Sequence, residues 1–242
     1  EEREEVSGFM EPKALSVVDH LGELRRRLWI SVIVFVLASV FSYPLASYII
    51  QIMKEDLMGG VTLVILSPLE AVSVKVKISL LVGFILSLPV LAYEFWSFLS
   101  PGLKAGERRF LAVSLLPSIL LFLTGVLFAY RVLLPTAIRL MLDEAYPVAV
   151  PMLSLGETFS FVLFVLFSTG VSFQLPLVVV ALSRIGILDY RMLSSTRKYA
   201  IVGIFIFAAA VTPDPTMVSQ MLVAVPMLLL YEVSIQLSRL VS

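Results

Sequence analysis

Two short polar stretches in a very apolar chain place carboxylates among arginines. The first is His20-Leu21-Gly22-Glu23-Leu24-Arg25-Arg26-Arg27, and the second is Phe95 to Leu103 followed by Glu107-Arg108-Arg109. A carboxylate can accept two parallel hydrogen bonds from a guanidinium group, and arginine is the residue that offers this geometry. The two stretches therefore favour a docking surface for a charged peptide over a hydrolytic centre.

The composition is that of an all-α integral membrane protein. Of 242 residues, 59% are hydrophobic and 15% are charged, whereas soluble domains have roughly 45 to 50% apolar and about 25% charged residues. The chain has no cysteine and one histidine, which excludes disulfides, zinc thiolates and multi-histidine metal sites. We expect one membrane domain over residues 1–242, no cofactor and no nucleic-acid partner.

Six apolar segments predict six transmembrane helices, since about 20 apolar residues cross a bilayer. They are Leu28–Ile50, Ala71–Tyr93, Phe110–Tyr130, Thr158–Ser183, Ala200–Thr212 and Met217–Leu237. The last two are short helices separated by the turn Pro213-Asp214-Pro215-Thr216. The fifth would rise only about 20 Å, which favours local thinning of the bilayer over a shallow hairpin.

The distribution of basic residues predicts the orientation. With the N-terminus inside, 13 of the 18 lysines and arginines are cytoplasmic and five are outside, which satisfies the positive-inside rule. Both termini are then cytoplasmic. Residues 1–18 are expected to form a polar, partly disordered lead, and residues 19–239 the helical domain. The first apolar segment has no small-residue cleavage site, so a cleavable signal peptide is not expected.

Prolines and polar connections suggest the shape of the bundle. Pro89, Pro117, Pro176 and Pro226 lie within the spans, where each would remove a backbone hydrogen bond and bend its helix, giving a concave bundle. The alternative is that proline is simply more frequent in membrane helices. Residues 51–70 and 131–157 mix charged and apolar side chains, which favours amphipathic pieces capping the helices.

Several further motifs give the chain a resemblance to a known family. Ser67-Pro68-Leu69-Glu70, the central Phe-Trp-x-Phe-x-x-Pro-Gly-Leu run, the Phe-x-x-Pro step of the fourth span, and Ser219-Gln220 with Ala224-Val225-Pro226 join the two polar stretches. In this order and spacing, over roughly Asp19 to Arg239, they resemble the TatC subunit of the twin-arginine translocase. The resemblance implies a six-helix, cup-shaped bundle.

The resemblance also implies a function. Such a receptor binds signal peptides that carry paired arginines and recruits the single-span subunits TatA and TatB. The complex then exports folded proteins, driven by the proton motive force. We therefore expect these partners, the lipid bilayer and self-association in a larger complex. The expected location is the plasma (inner) membrane of a prokaryote, in preference to a thylakoid.

The residues expected to bind the peptide follow from the motif positions. Two peptide arginines require two carboxylates on one face, and Glu23 and Glu107 match the family positions for them. The other motif positions that would shape the site are Arg25, Phe98, Pro101 and Gly102.

Each of these residues also has a purely structural interpretation. Glu23 precedes Arg27 by four residues, a spacing that forms helical ion pairs worth about 0.2 to 0.5 kcal/mol. Glu107 could complement the dipole at the start of the third span. Trp96 and Tyr93 are typical of interfacial aromatic residues, and His20 is expected to be structural or solvated.

Gln174 departs from the family, which commonly has glutamate at this position. A neutral amide costs less than a carboxylate in hydrocarbon, so Gln174 is predicted to contact a partner helix. Alternatively, it satisfies the backbone that Pro176 opens near Ser172. Gln174 and Glu232 also fit, loosely, the intramembrane polar groups of a secondary transporter. An intramembrane enzyme is not expected, because hydrolase and metalloprotease motifs are missing from the sequence.

Overall fold

The protein is almost entirely helical in the computed structural model, which describes residues 17–59, 61–99, 105–184, 186–211 and 217–241. The first half contains α1 (Val17–Ser42), α2 (Ala46–Met58), α3 (Pro68–Leu99), α4 (Ala105–Phe128) and α5 (Leu134–Ala145). The second half contains α6 (Leu155–Ser172), α7 (Leu175–Arg184), α8 (Tyr190–Ser195), α9 (Arg197–Val211) and α10 (Met217–Val241). Two short strands, β1 (Leu63–Val64) and β2 (Leu153–Ser154), pair in parallel, a departure from the all-α prediction.

Each of the six predicted segments is helical over its described residues, with brief interruptions. Four helical stretches in the described part of the chain are long and apolar enough to cross a membrane: Leu21–Met58, Pro68–Phe98, Val113–Ala145 and Leu155–Arg184. The predicted boundaries were too short, because helix continues into polar residues at the segment ends. The fifth segment corresponds to α9, which has 15 residues and would rise about 22 Å.

A glycine lets α1 and α3 pack closely at one point of contact. A Cβ atom added at Gly83 would lie 2.5 Å from the Cα and 2.6 Å from the backbone nitrogen of Ser39. Only glycine permits backbones this close, and small residues at such crossings are typical of membrane helices. Because Ser39 meets Gly83 and Arg27 meets Glu94, the two helices run antiparallel.

The connections at one end of the bundle are ordered. α2 and α5 pack against each other, and the buried residues of α5, Leu134, Ala137 and Ile138, recur at the three- and four-residue spacing of one helical face. The Tyr130 hydroxyl donates to Asp56 Oδ2 at 2.7 Å. The amphipathic pieces predicted in residues 51–70 and 131–157 are therefore helices packed onto the core at this end.

Glu70 caps two helices at the same end of the bundle. Its Oε2 accepts from the backbone nitrogens of Leu66 and Ser67 at 2.6 and 3.3 Å, just before α3. Its Oε1 accepts from Ser154 Oγ and from the Gly156 nitrogen, both at 2.5 Å, at the start of α6. One carboxylate thus satisfies open backbone donors of two helices and favours both helix dipoles.

Replacing Glu70 by Gln is expected to loosen the joint between α3 and α6. The amide has one acceptor oxygen, so it cannot accept from both sets of donors. The apparent melting temperature of the purified protein in detergent should fall. The exposed Glu144, at the end of α5, offers the matched control Glu144→Gln. Equal melting temperatures for the two variants would show that the shared cap contributes nothing to stability.

The fourth span is broken between α6 and α7, within the C-terminal half. α6 ends at Ser172, four residues before Pro176, the position whose carbonyl a proline leaves without its helical donor. The other three prolines, Pro89, Pro117 and Pro226, lie inside continuous helices. Beyond the break, α7 packs against α10, and Ser183 Oγ lies 2.7 Å from Ser238 Oγ.

Two hydrogen bonds join α10 to α9 and α8. Gln220 Nε2 donates to the Phe205 carbonyl at 3.2 Å. Further along α10, the Tyr231 hydroxyl donates to the Leu193 carbonyl of α8 at 2.9 Å. The first of these hydrogen bonds places Gln220 of the Ser219-Gln220 motif against α9.

Candidate functional site

Arg27 lies between two carboxylates from different helices at the end of the bundle opposite Glu70. Its Nε and Nη2 donate to Glu23 Oε1 at 3.0 and 2.6 Å, and its Nη1 donates to Glu94 Oε2 at 2.9 Å. Glu23 is one turn away on α1, whereas Glu94 is near the end of α3. These three side chains, which we term the Arg27 cluster, tie α1 to α3.

The ion pair predicted between Glu23 and Arg27 is confirmed. The two side chains are 26% and 23% exposed, so solvent screens part of their attraction, and a pair of this kind contributes about 0.2 to 1 kcal/mol. Glu23 can still bind a further partner, because its Oε1 accepts both hydrogen bonds from Arg27 and its carboxylate is partly exposed to solvent.

Glu94 was not predicted from the sequence as a site residue. It follows Tyr93 at the end of an apolar run and is only 9% exposed as a residue. A buried carboxylate is costly unless it is paired, so the guanidinium of Arg27 is needed to hold it. The sequence did contain a signal for Glu94, because an ionisable residue in a membrane-spanning segment usually has a partner.

The remaining predicted site residues divide between described and undescribed positions. Arg25 is exposed and, two residues from both Glu23 and Arg27, points to a different face of α1. Phe98 is half-buried near the end of α3. Pro101 and Gly102 lie outside the described residues. Glu107 is in the first turn of α4, as expected, but its side chain is outside the described part.

The aromatic residues next to Glu94 do not all behave as predicted. Tyr93 and Phe95 are each 55% exposed, but Trp96 is only 5% exposed and packs with Leu177 and Ala181 of α7. The prediction of Trp96 as an interfacial aromatic was therefore wrong. Burial against Leu177 and Ala181 of α7 makes Trp96 part of the protein core. The His20 side chain lies outside the described part of the chain.

Gln174 contacts a neighbouring helix of the same chain. Its Nε2 donates to the Ser118 carbonyl of α4 at 2.8 Å, directly beside Pro117. The alternative in which this amide satisfies the backbone opened by Pro176 is not what the structure shows, because the acceptor belongs to α4. Gln174 thus connects the break between α6 and α7 to the proline step of α4.

Replacing Gln174 by Leu is expected to remove this bond while leaving the Arg27 cluster intact. From the motif resemblance we predict that the Gln174→Leu variant would still bind a signal peptide but lose stable contact with a partner helix, and that Gln174→Glu would be tolerated. Site-specific cross-linking from the exposed position Val171, about one turn before Gln174, measures the contact in native membranes. Unchanged cross-linking and export in the Leu variant would leave Gln174 with a structural part only.

Glu232 and metal ligands complete the list of sequence candidates. Glu232 Oε1 accepts from Arg197 Nη2 of α9 at 2.7 Å. Glu232 therefore forms an ion pair between α9 and α10, which weakens the transporter interpretation, since that rested on Gln174 and Glu232 together. Within the described ranges, no group of three or more His, Cys, Asp or Glu side chains could hold a metal ion.

Comparison with known proteins identifies the family. Residues 19–226 match the family model of the Sec-independent protein translocase protein TatC. The chain belongs to the TatC family. A TatC protein of Aquifex aeolicus is 41% identical over 231 residues, covering 93% of this chain and 95% of the relative. A TatC protein of Carboxydothermus hydrogenoformans is 37% identical, with 96% of each chain covered.

A solved TatC structure supports the fold as well. A crystal structure described as the twin arginine translocase receptor TatC superimposes with a TM-score of 0.82 at 41% identity, covering 92% of this chain and 99% of that chain. The TatC-family chain is therefore a multi-pass membrane protein of the twin-arginine translocation system, and a translocase component rather than an enzyme. The recognition made from the motifs is confirmed.

Proposed function

We propose that this TatC-family chain is the receptor that binds twin-arginine signal peptides at the end of the bundle carrying the Arg27 cluster. Glu23 and Glu107 would each accept one peptide guanidinium. The observation that carries the proposal is that Glu23 already binds a guanidinium, from Arg27, through two hydrogen bonds at 2.6 and 3.0 Å. The carboxylate is thus placed and oriented for the ligand chemistry that paired arginines bring.

Glu107 is suited to the second position by its place in the chain. It lies in the first turn of α4, the helix that follows α3 after a short connection, and α3 carries Glu94. The dipole of α4 favours a carboxylate at this position. Arg25, Phe98, Pro101 and Gly102 would shape the surface around the two carboxylates.

The proposal includes a place and partners in the cell. The chain would have six membrane spans in a cup-shaped bundle, with both termini in the cytoplasm of a prokaryote and the bundle in its inner membrane. The 13-to-5 distribution of basic residues and the bacterial relatives support this orientation and location. TatA and TatB subunits would join it, and the proton motive force would drive export of folded cargo.

A peptide-binding experiment tests the proposed function. The purified full chain in detergent is mixed with a fluorescent peptide that carries two consecutive arginines or, as control, two lysines. Lysine cannot present two parallel donors to one carboxylate, so the arginine peptide should bind and the lysine peptide should not. Equal binding of both peptides, or of neither, would contradict the proposal.

The orientation can be checked by labelling a single introduced cysteine. The chain has no cysteine, so Ser100→Cys creates the only thiol. We expect a membrane-impermeant thiol reagent to leave this position unlabelled in sealed cells and to label it after the membrane is opened. Labelling from outside intact cells would overturn the predicted topology.

A further inference from the structure

Arg27 occupies the place that the proposed function gives to a peptide arginine. Its Nε and Nη2 both donate to Glu23 Oε1, so the guanidinium of Arg27 already occupies that oxygen. A peptide that binds Glu23 in the same way must therefore displace Arg27 or share the carboxylate with it. Arg27 is an internal competitor for the site.

The charges of the Arg27 cluster leave room for one more cation. Glu23 and Glu94 bring two negative charges, and Arg27 brings one positive charge. Of the other described basic groups of this turn of α1, Arg25 is exposed and points to a different face from Glu23. Arg26, three residues after Glu23 on a neighbouring face, is also exposed and forms no ion pair with Glu23 among the described side chains. An arriving guanidinium would bring the cluster to neutrality.

Glu94 is more buried than Glu23, so we expect Arg27 to stay with Glu94 when a peptide guanidinium binds Glu23. The Glu94 side chain is 11% exposed and that of Glu23 is 26% exposed. The buried carboxylate has the greater need of a fixed counter-charge, while the exposed one can exchange partners with solvent or a ligand. Arg27 also keeps a separate nitrogen, Nη1, on Glu94 at 2.9 Å.

We infer that Glu94 is a positioning residue for paired-arginine recognition, holding Arg27 away from Glu23 when a peptide guanidinium takes its place. This inference rests on the proposed function of Glu23. Without the Glu94 charge, Arg27 would pair with Glu23 alone and compete more strongly with the peptide. Glu94 would thus set affinity without contacting the ligand.

A double-mutant cycle on the full chain tests the inference. We expect Glu94→Gln to raise the Kd of the twin-arginine peptide at least about tenfold. The reason is that the charge-assisted hydrogen bond between Arg27 and Glu94 is lost, so Arg27 competes more strongly for Glu23. In the Arg27→Gln background, where the competitor is gone, the same exchange should leave Kd unchanged. An equal rise in both backgrounds, or in neither, would overturn the inference.

The control variants separate this inference from the proposed function. Glu23→Gln should weaken binding, and if it does not, the proposed function itself fails. If Glu23→Gln weakens binding but Glu94→Gln does not, only the inference fails. Glu144→Gln removes an exposed charge at the other end of the bundle and should leave Kd unchanged.

A milder exchange covers the case in which Glu94→Gln does not fold. Glu94→Asp keeps the charge but shortens the side chain, so it should raise Kd when Arg27 is present and leave Kd unchanged in the Arg27→Gln background. Apparent melting temperatures measured for every variant show which of them are folded. An equal effect of Glu94→Asp in both backgrounds would overturn the inference.

Discussion

Replacing either proposed carboxylate, Glu23 or Glu107, by Gln is expected to weaken binding of a twin-arginine peptide by about 1.5 to 3 kcal/mol, the usual range for a lost hydrogen bond to a charged group. This corresponds to a rise in Kd of roughly 10- to 150-fold. Replacement by Arg or Lys should have a larger effect, because a like charge then faces the peptide. Titration of the purified chain with labelled peptide measures the change.

The two variants also separate recognition from structure. Glu144→Gln, which removes a distant exposed carboxylate, serves as the control, and membrane insertion should be normal in all of them. An unchanged affinity in Glu107→Gln would mean that this residue only favours the start of α4. An unchanged affinity in Glu23→Gln would reduce its role to the ion pair with Arg27.

A side chain larger than hydrogen at position 83 is expected to disrupt the α1 and α3 pair. Gly83→Ala places a Cβ 2.5 Å from the Ser39 Cα, where only movement of the backbone can relieve the clash. Overpacking of this kind costs about 1 to 3 kcal/mol, and Gly83→Leu should cost more. The apparent melting temperature should fall in that order.

The same substitution should be felt at the Arg27 cluster. Arg27 and Glu94 each lie roughly 16 to 18 Å along their helices from the Ser39 and Gly83 contact. Separation of the helices there should lengthen the distance between spin labels placed at the exposed positions Leu28 and Phe95. Gly203→Ala is the matched control, since a Cβ at Gly203 meets nothing within 4 Å. Equal effects at positions 83 and 203 would contradict the steric explanation.

The helices were predictable because their signal is local. A run of apolar residues from Ala71 to Tyr93 requires helix in a bilayer, where backbone groups must be satisfied within the segment. The predicted boundaries fell inside the true ends of α3, Pro68 and Leu99, since hydropathy marks the apolar part of a helix and says nothing of its polar turns. The ion pair of Glu23 with Arg27 followed from their four-residue spacing for the same reason.

Contacts between distant segments could not be read from the sequence in this way. The pairing of Arg27 with Glu94 and the shared cap at Glu70 depend on how α1, α3 and α6 are placed in space, and no spacing along the chain encodes this. Trp96 was assigned to the membrane interface because its type and position fit that role, but α7 covers it. Ser67-Pro68-Leu69-Glu70 could be recognised as a motif, but the sequence did not show that Glu70 also accepts hydrogen bonds from Ser154 and Gly156.

The break between α6 and α7 has a consequence for synthesis of the chain. α7 contributes Leu177 to a cluster with Trp96, which is made earlier, but Val179 packs with Ile235 of α10, which is made later. At translation rates of 5 to 20 residues per second, α10 begins to appear about 2 to 7 seconds after α7 is complete. During that interval Val179 has Leu193 of α8 as a neighbour but lacks Ile235 of α10, so a ribosome stalled before Met217 would leave a translocase subunit in which this face of α7 is only partly covered.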